Sequence, residues 1–137
     1  MLPTYKTLVE GCKMGEGMSV NSIDEVRKTL GKPLPNSYVE FLKEMNGVEG
    51  FIGSTVYLVL WPADKLAAYN EMYGVCEFAP DLVLIGSDGG NTGYAIDTRV
   101  SGGEFAEVPL VGMSHDDTTK ISNTMSDFLA SLRAKAQ

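Results

Sequence analysis

A chain of 137 residues with 44% hydrophobic and 21% charged side chains carries enough apolar material for one self-sufficient core and too much for a disordered protein. Eighteen acids against 11 bases give a formal charge of -7, which makes nucleic acid and anionic membrane poor partners and a basic protein a good one. No apolar run approaches the ~20 residues that cross a bilayer, and the opening MLPTYKTLVEGCK lacks a basic region followed by a hydrophobic stretch, so a cytoplasmic protein is expected.

Tyr5, Leu8, Val9 and Cys12 recur at i, i+3, i+4 and i+7, predicting a short amphipathic helix that ends near Gly15 and Gly17. Ser22-Ile23-Asp24-Glu25 has the capping-box pattern, predicting a helix that turns Ile23, Val26 and Leu30 to the core and stops at Gly31. Pro35 opens the next helix, whose stripe is Leu34, Tyr38, Phe41, Leu42 and Met45, with Asn46-Gly47 closing it. After Gly50 the period changes: Phe51 to Gly53 and Val56 to Trp61 read as strands. Pro62 starts a helix carrying Leu66, Tyr69, Asn70 and Tyr73, stopped by Gly74. Leu82 to Thr98 reads as a hairpin around a glycine-rich corner, and Glu104 to Leu110 as a further strand. Thr124 and Asp127 cap a last helix with Met125, Phe128, Leu129 and Leu132 inward. Helices before and after a run of hairpins predict an α+β fold: an antiparallel sheet with helices on one face, a helical N-terminal third and a C-terminal helix. No repeat or linker interrupts residues 1–137, so a single domain is expected.

Candidate chemistry is sparse. The glycines of the hairpin lack both the Gly-Lys-Ser/Thr and the G-x-G-x-x-G spacing, and a strand follows them, so they read as turn glycines rather than a phosphate cradle. Cys12 and Cys76 lie far apart in sequence. Two reduced, partly buried thiols are the simplest reading; a disulfide stays open, and a catalytic pair with the single histidine, His115, is disfavoured. His115-Asp116-Asp117 has no second histidine or cysteine pair nearby, which argues against zinc, and the EF-hand pattern is absent. Asp88 and Asp97 flank the hairpin and could act as a carboxylate pair, although aspartates at turns usually bond locally. Trp61, Tyr57 and Tyr69 fit either a recognition pocket or core packing, with their strand and helix periods favouring the core. No catalytic residue, cofactor site or metal site is assigned.

Charge is the stronger signal. Leu66 to Thr119 holds nine acids and one base, Arg99, while the rest of the chain is close to balanced. Ordinary charge scatter over a surface would account for this, and so would a dedicated acidic face.

The order Leu34-Pro35, Tyr38, Phe41-Leu42 and Asn46-Gly47, then Leu60-Trp61-Pro62, Tyr69-Asn70-Glu71, Leu84-Ile85-Gly86-Ser87-Asp88-Gly89-Gly90, Tyr94-Ala95-Ile96-Asp97 and a closing Phe-Leu helix, resembles the SUKH superfamily over roughly Ile23 to Leu132. That family contains yeast cell-wall-synthesis regulators and many bacterial immunity proteins. The resemblance implies an α+β domain without a shared catalytic reaction or cofactor, which neutralises a toxin, nucleases among them, by direct binding. Combined with the charge, it suggests a partner-binding surface formed by Glu71, Glu77, Asp81, Asp88 and Asn91 facing a basic protein such as a cognate toxin. A regulatory or scaffold module using the same surface is the alternative, and an Asp-dependent enzyme the third reading.

Overall fold

The two hydrophobic periods of the sequence sort into a sheet and the helices laid on it. The computed structural model describes residues 4–53 and 55–135. Its strands are β1 (Lys13–Glu16), β2 (Met45–Ile52), β3 (Val56–Leu60), β4 (Leu82–Ser87), β5 (Thr92–Asp97), β6 (Glu104–Pro109) and β7 (Thr119–Ser122), in the spatial order β1 to β7 with every neighbour antiparallel. The helices are α1 (Tyr5–Leu8), α2 (Val20–Leu30), α3 (Asn36–Glu44), α4 (Leu66–Met72, after a 3-10 turn at Ala63–Lys65), α5 (Val75–Phe78) and α6 (Met125–Lys135). The fold is α+β, as expected from the pattern.

Three helices follow their sequence stripes. On α3, Tyr38, Phe41 and Leu42 are buried, as are Leu34 and Met45 at its ends. On α6, Met125, Phe128, Leu129 and Leu132 are buried, and Phe128 meets Tyr94 of β5 edge-on at 5.3 Å and stacks on Phe105 of β6 at 5.6 Å. The Thr124 hydroxyl accepts from the Asp127 N–H, as the cap pattern predicts. The Ser37 hydroxyl accepts from the Met125 N–H, so the start of α6 is pinned to α3 across 88 positions of sequence. On α2, Ile23 and Val26 are buried and Gly31 ends the helix in the left-handed conformation.

Elsewhere the expectations need correction. The N-terminal third is not wholly helical: α1 stops at Leu8, and Lys13–Glu16 pairs as a strand with β2. Of the two glycines read as helix breakers, Gly15 serves that pairing, because a Cβ on it would run into the Asn46 carbonyl oxygen, and Gly17 lies against the Lys43 carbonyl at the end of α3. The cap of α2 is Ser19 rather than Ser22, its hydroxyl accepting from the Ser22 N–H. Asn46-Gly47 does not close α3, since the chain enters β2 directly at Met45. Instead the Asn46 side chain accepts from the Ala63 N–H at 2.7 Å and donates to Asp64. Strand β7 and helix α5, four residues each, were not foreseen.

The feature that organises the middle of the sheet is the separation of β3 from β4. They pair only at Val59 with Ser87 and Leu60 with Gly86, leaving the lower half of β4 without a strand on that side. Asn70 of α4 takes the strand's place: its Oδ1 accepts from the Leu84 N–H at 2.8 Å, and its Nδ2 donates to the Leu84 carbonyl at 3.0 Å and to the Leu66 carbonyl at 2.8 Å. One side chain therefore satisfies both peptide groups of a buried strand residue. Asn70→Ala should leave them unpaired and destabilise the fold by about 2 kcal/mol or more. Urea unfolding checks this, with a lowered midpoint and an unchanged slope expected.

Candidate partner-binding surface

The glycine-rich corner between β4 and β5 is built from its own side chains. Asp88 Oδ1 accepts from the N–H groups of Gly90 at 2.8 Å and Thr92 at 3.3 Å, and the Ser87 hydroxyl accepts from the Gly89 N–H at 3.1 Å. Gly89 sits at φ +85°, and a Cβ there would lie 3.1 Å from the Tyr57 ring, so the turn lies against β3. Asn91 Oδ1 accepts from the Val111 N–H, and the Asn91 carbonyl from the Leu110 N–H, holding the segment after β6 to the hairpin. The Asp88, Gly89, Gly90 and Thr92 amides are thus already bonded, and the Asp88 and Asn91 side chains are committed to local structure.

The remaining sequence candidates lie elsewhere. Glu71 on α4 and Glu77 on α5 are exposed and line one depression of about 400 Å³ beside β4, while Asp81 is half-buried just before β4. Asp81 and Asp88 bracket the six-residue strand β4, about 20 Å apart at roughly 3.3 Å per residue. The structure therefore gathers Glu71 and Glu77 and sets Asp88 and Asn91 apart from them. Among the described residues none of Glu71, Glu77, Asp81 and Asp88 forms an ion pair.

Asp88 and Asp97 are not a carboxylate pair: they stand at opposite ends of the hairpin, with β5 between them. Asp97 is bound instead by Arg99, whose Nε and Nη2 donate to Oδ1 and Oδ2 at 3.0 and 2.7 Å, and whose backbone N–H donates to Oδ1 as well. The Arg99 side-chain bonds hold the Asp97 carboxyl below its usual range, against the opposing effect of burial. His115 is half-buried, with Nε2 enclosed and unpartnered. Cys12 is buried and Cys76 exposed, both as free thiols, and Cys12 Sγ donates to the Phe51 carbonyl. Among the described residues no three His, Cys, Asp or Glu side chains converge as metal ligands, and no helix is long and apolar enough to cross a membrane.

The aromatic residues divide. Trp61 is buried and stacks on Tyr69 at 4.3 Å and on Tyr73 at 6.0 Å, a packing role that joins the end of β3 to α4. Tyr57 is half-buried; it donates from its hydroxyl to Glu49 at 2.6 Å and meets the exposed Phe51 edge-on across the β2–β3 ladder. Phe51 went unnoticed as a surface residue because its β-strand period reads equally well facing in or out.

Because Asp97 is held below its unfolded value of 3.8, its contribution to stability is present in full above that value and is lost as pH falls through the lower folded one. Asp97→Asn should flatten the acid limb of the Tm-against-pH curve below about pH 4. Thermal melts of both proteins across that range check it.

No protein of curated function matches the chain significantly. The sequence profile of the SMI1 / KNR4 family (SUKH-1) matches residues 17–131, from just before the α2 cap into α6 and six residues beyond the N-terminal limit of the resemblance read from the motifs. With that span covering most of the chain and the α+β sheet in place, the protein belongs to the SMI1 / KNR4 family (SUKH-1).

Proposed function

We propose that this chain is a non-catalytic protein-binding domain of the immunity type, which neutralises a basic toxin, such as a nuclease, by covering its functional surface. Family membership supports a binding role. The observation that carries the choice of partner is the concentration of nine acids against Arg99 in Leu66 to Thr119, which would steer a basic protein toward the surface of this segment. Glu71, Glu77, Asp81, Asp88 and Asn91 are its candidate contacts. The reading needs neither cofactor nor metal.

Tagged protein used as bait in source cells at low and high salt should recover one basic partner, released as salt rises. Reversing Glu71, Glu77 and Asp81 to lysine together with Asp88→Asn, whose amide oxygen can still accept from the Gly90 and Thr92 N–H groups, should abolish capture and protection, while the thermal midpoint stays within a few degrees of the parent. A partner retained by that variant overturns the acidic surface. Salt-insensitive recovery of housekeeping proteins would instead favour a regulatory module.

A further inference from the structure

The depression that holds Glu71 and Glu77 does not stop at α4. It shares Thr29, Leu30 and Ala67 with a second depression of about 550 Å³, which continues along the seam between α2 and α4 toward β1. Carboxylates stand at both ends: Glu16, Glu25 and Asp64 beside the second depression, Glu71 and Glu77 beside the first. Glu16, Glu25 and Asp64 precede the acidic segment of the sequence, so only the fold brings them into line with Glu71 and Glu77. Lys32 is the single base lining either depression, and its Nζ is occupied by the Pro80 carbonyl at 2.8 Å. Its apolar surface comes from Val26, Leu30 and Ala67 in the middle and from Val75, Leu82 and Val83 under the α5 end, interleaved with the polar Ser22, Thr29 and Asn70.

We infer that this α2–α4 groove is the docking site for a basic segment of the partner protein, one that carries lysines or arginines on either side of one or two aliphatic side chains. The inference rests on the reading of a basic partner given above and narrows it. The aliphatic side chains enter over Ala67 and remove apolar floor from water, while the flanking cations meet the carboxylates at the two ends. Anions at both ends of one apolar seam also disfavour an acidic or uniformly apolar occupant. Asp88 and Asn91, tied into their turn about 20 Å from Asp81 by strand geometry, lie outside this groove and would meet a different part of the partner.

The probe is a synthetic peptide of lysine and leucine, titrated into isotope-labelled full-length protein and followed by backbone amide shifts. Saturable shifts are expected at Leu30, Ala67 and Asn70, with the Asp88 to Asn91 turn unmoved. A lysine-only peptide and a glutamate-leucine peptide should each bind at least about tenfold more weakly. Ala67→Trp, which fills the waist of the groove, and the surface pair Glu25→Lys with Glu71→Lys should each weaken the lysine-leucine peptide by about tenfold or more. The surface pair keeps the test decisive if the tryptophan variant misfolds. Shifts scattered over the surface or centred on the hairpin turn, or affinity unchanged in both variants, overturn the groove. A captured basic partner that survives these groove variants but is lost on Asp81→Lys with Asp88→Asn overturns the groove alone; no salt-sensitive basic partner for the parent protein overturns the underlying reading.

Discussion

The fold depends on satisfying the peptide groups of β4 where β3 departs from it. All six residues of β4 are buried, so an unpaired N–H or carbonyl there would be held away from water. Among the described residues Asn70 is the only side chain bonded to both peptide groups of Leu84, and it does so from a helix that starts just after the 3-10 turn following β3. The chain thus uses the same connection to leave the sheet and to seal the edge it exposes. Trp61, stacked on Tyr69, fixes α4 at the height from which Asn70 can reach.

Every strand pairs with its sequence neighbours, and β2 with β3 and β4 with β5 close through short connections of small entropic cost, whereas β1 reaches β2 across α2 and α3, and β3 reaches β4 across α4 and α5. The helices add closures that are longer still. The Ser37 hydroxyl on Met125, and Arg133 Nη1 donating to the Leu8 carbonyl, bind the C-terminal helix to α3 and α1. The aromatic cluster of Tyr94, Phe105 and Phe128 fills the space between that helix and the middle of the sheet.

What could be read from the sequence was whatever spans several turns or repeats. The stripes on α2, α3 and α6 carry enough periodic residues to outweigh local ambiguity, and β4 and β5 announce themselves by an apolar run and alternation around glycines. Strands β1 and β7 are four residues long and mostly exposed, so their composition says nothing and only pairing defines them. Asn46 looked like a helix stop because asparagine before glycine is common there, yet its amide is used 17 positions later at Ala63. The candidate surface was legible as charge but not as geometry. Sequence marked Asp88 and Glu71 as equals, whereas hydrogen bonds commit one to a turn and leave the other beside a groove with Glu77.

The single tryptophan of the chain gives the joint between β3 and α4 an optical signature. Its indole ring lies nearly parallel to two phenol rings, at interplanar angles of 11° and 12°, and is screened from water by that stack. Emission from the native protein therefore reports one joint and no other. Any event that lifts α4 from the sheet, whether a fluctuation or the arrival of another molecule, would register there as a red shift before the rest of the chain had changed.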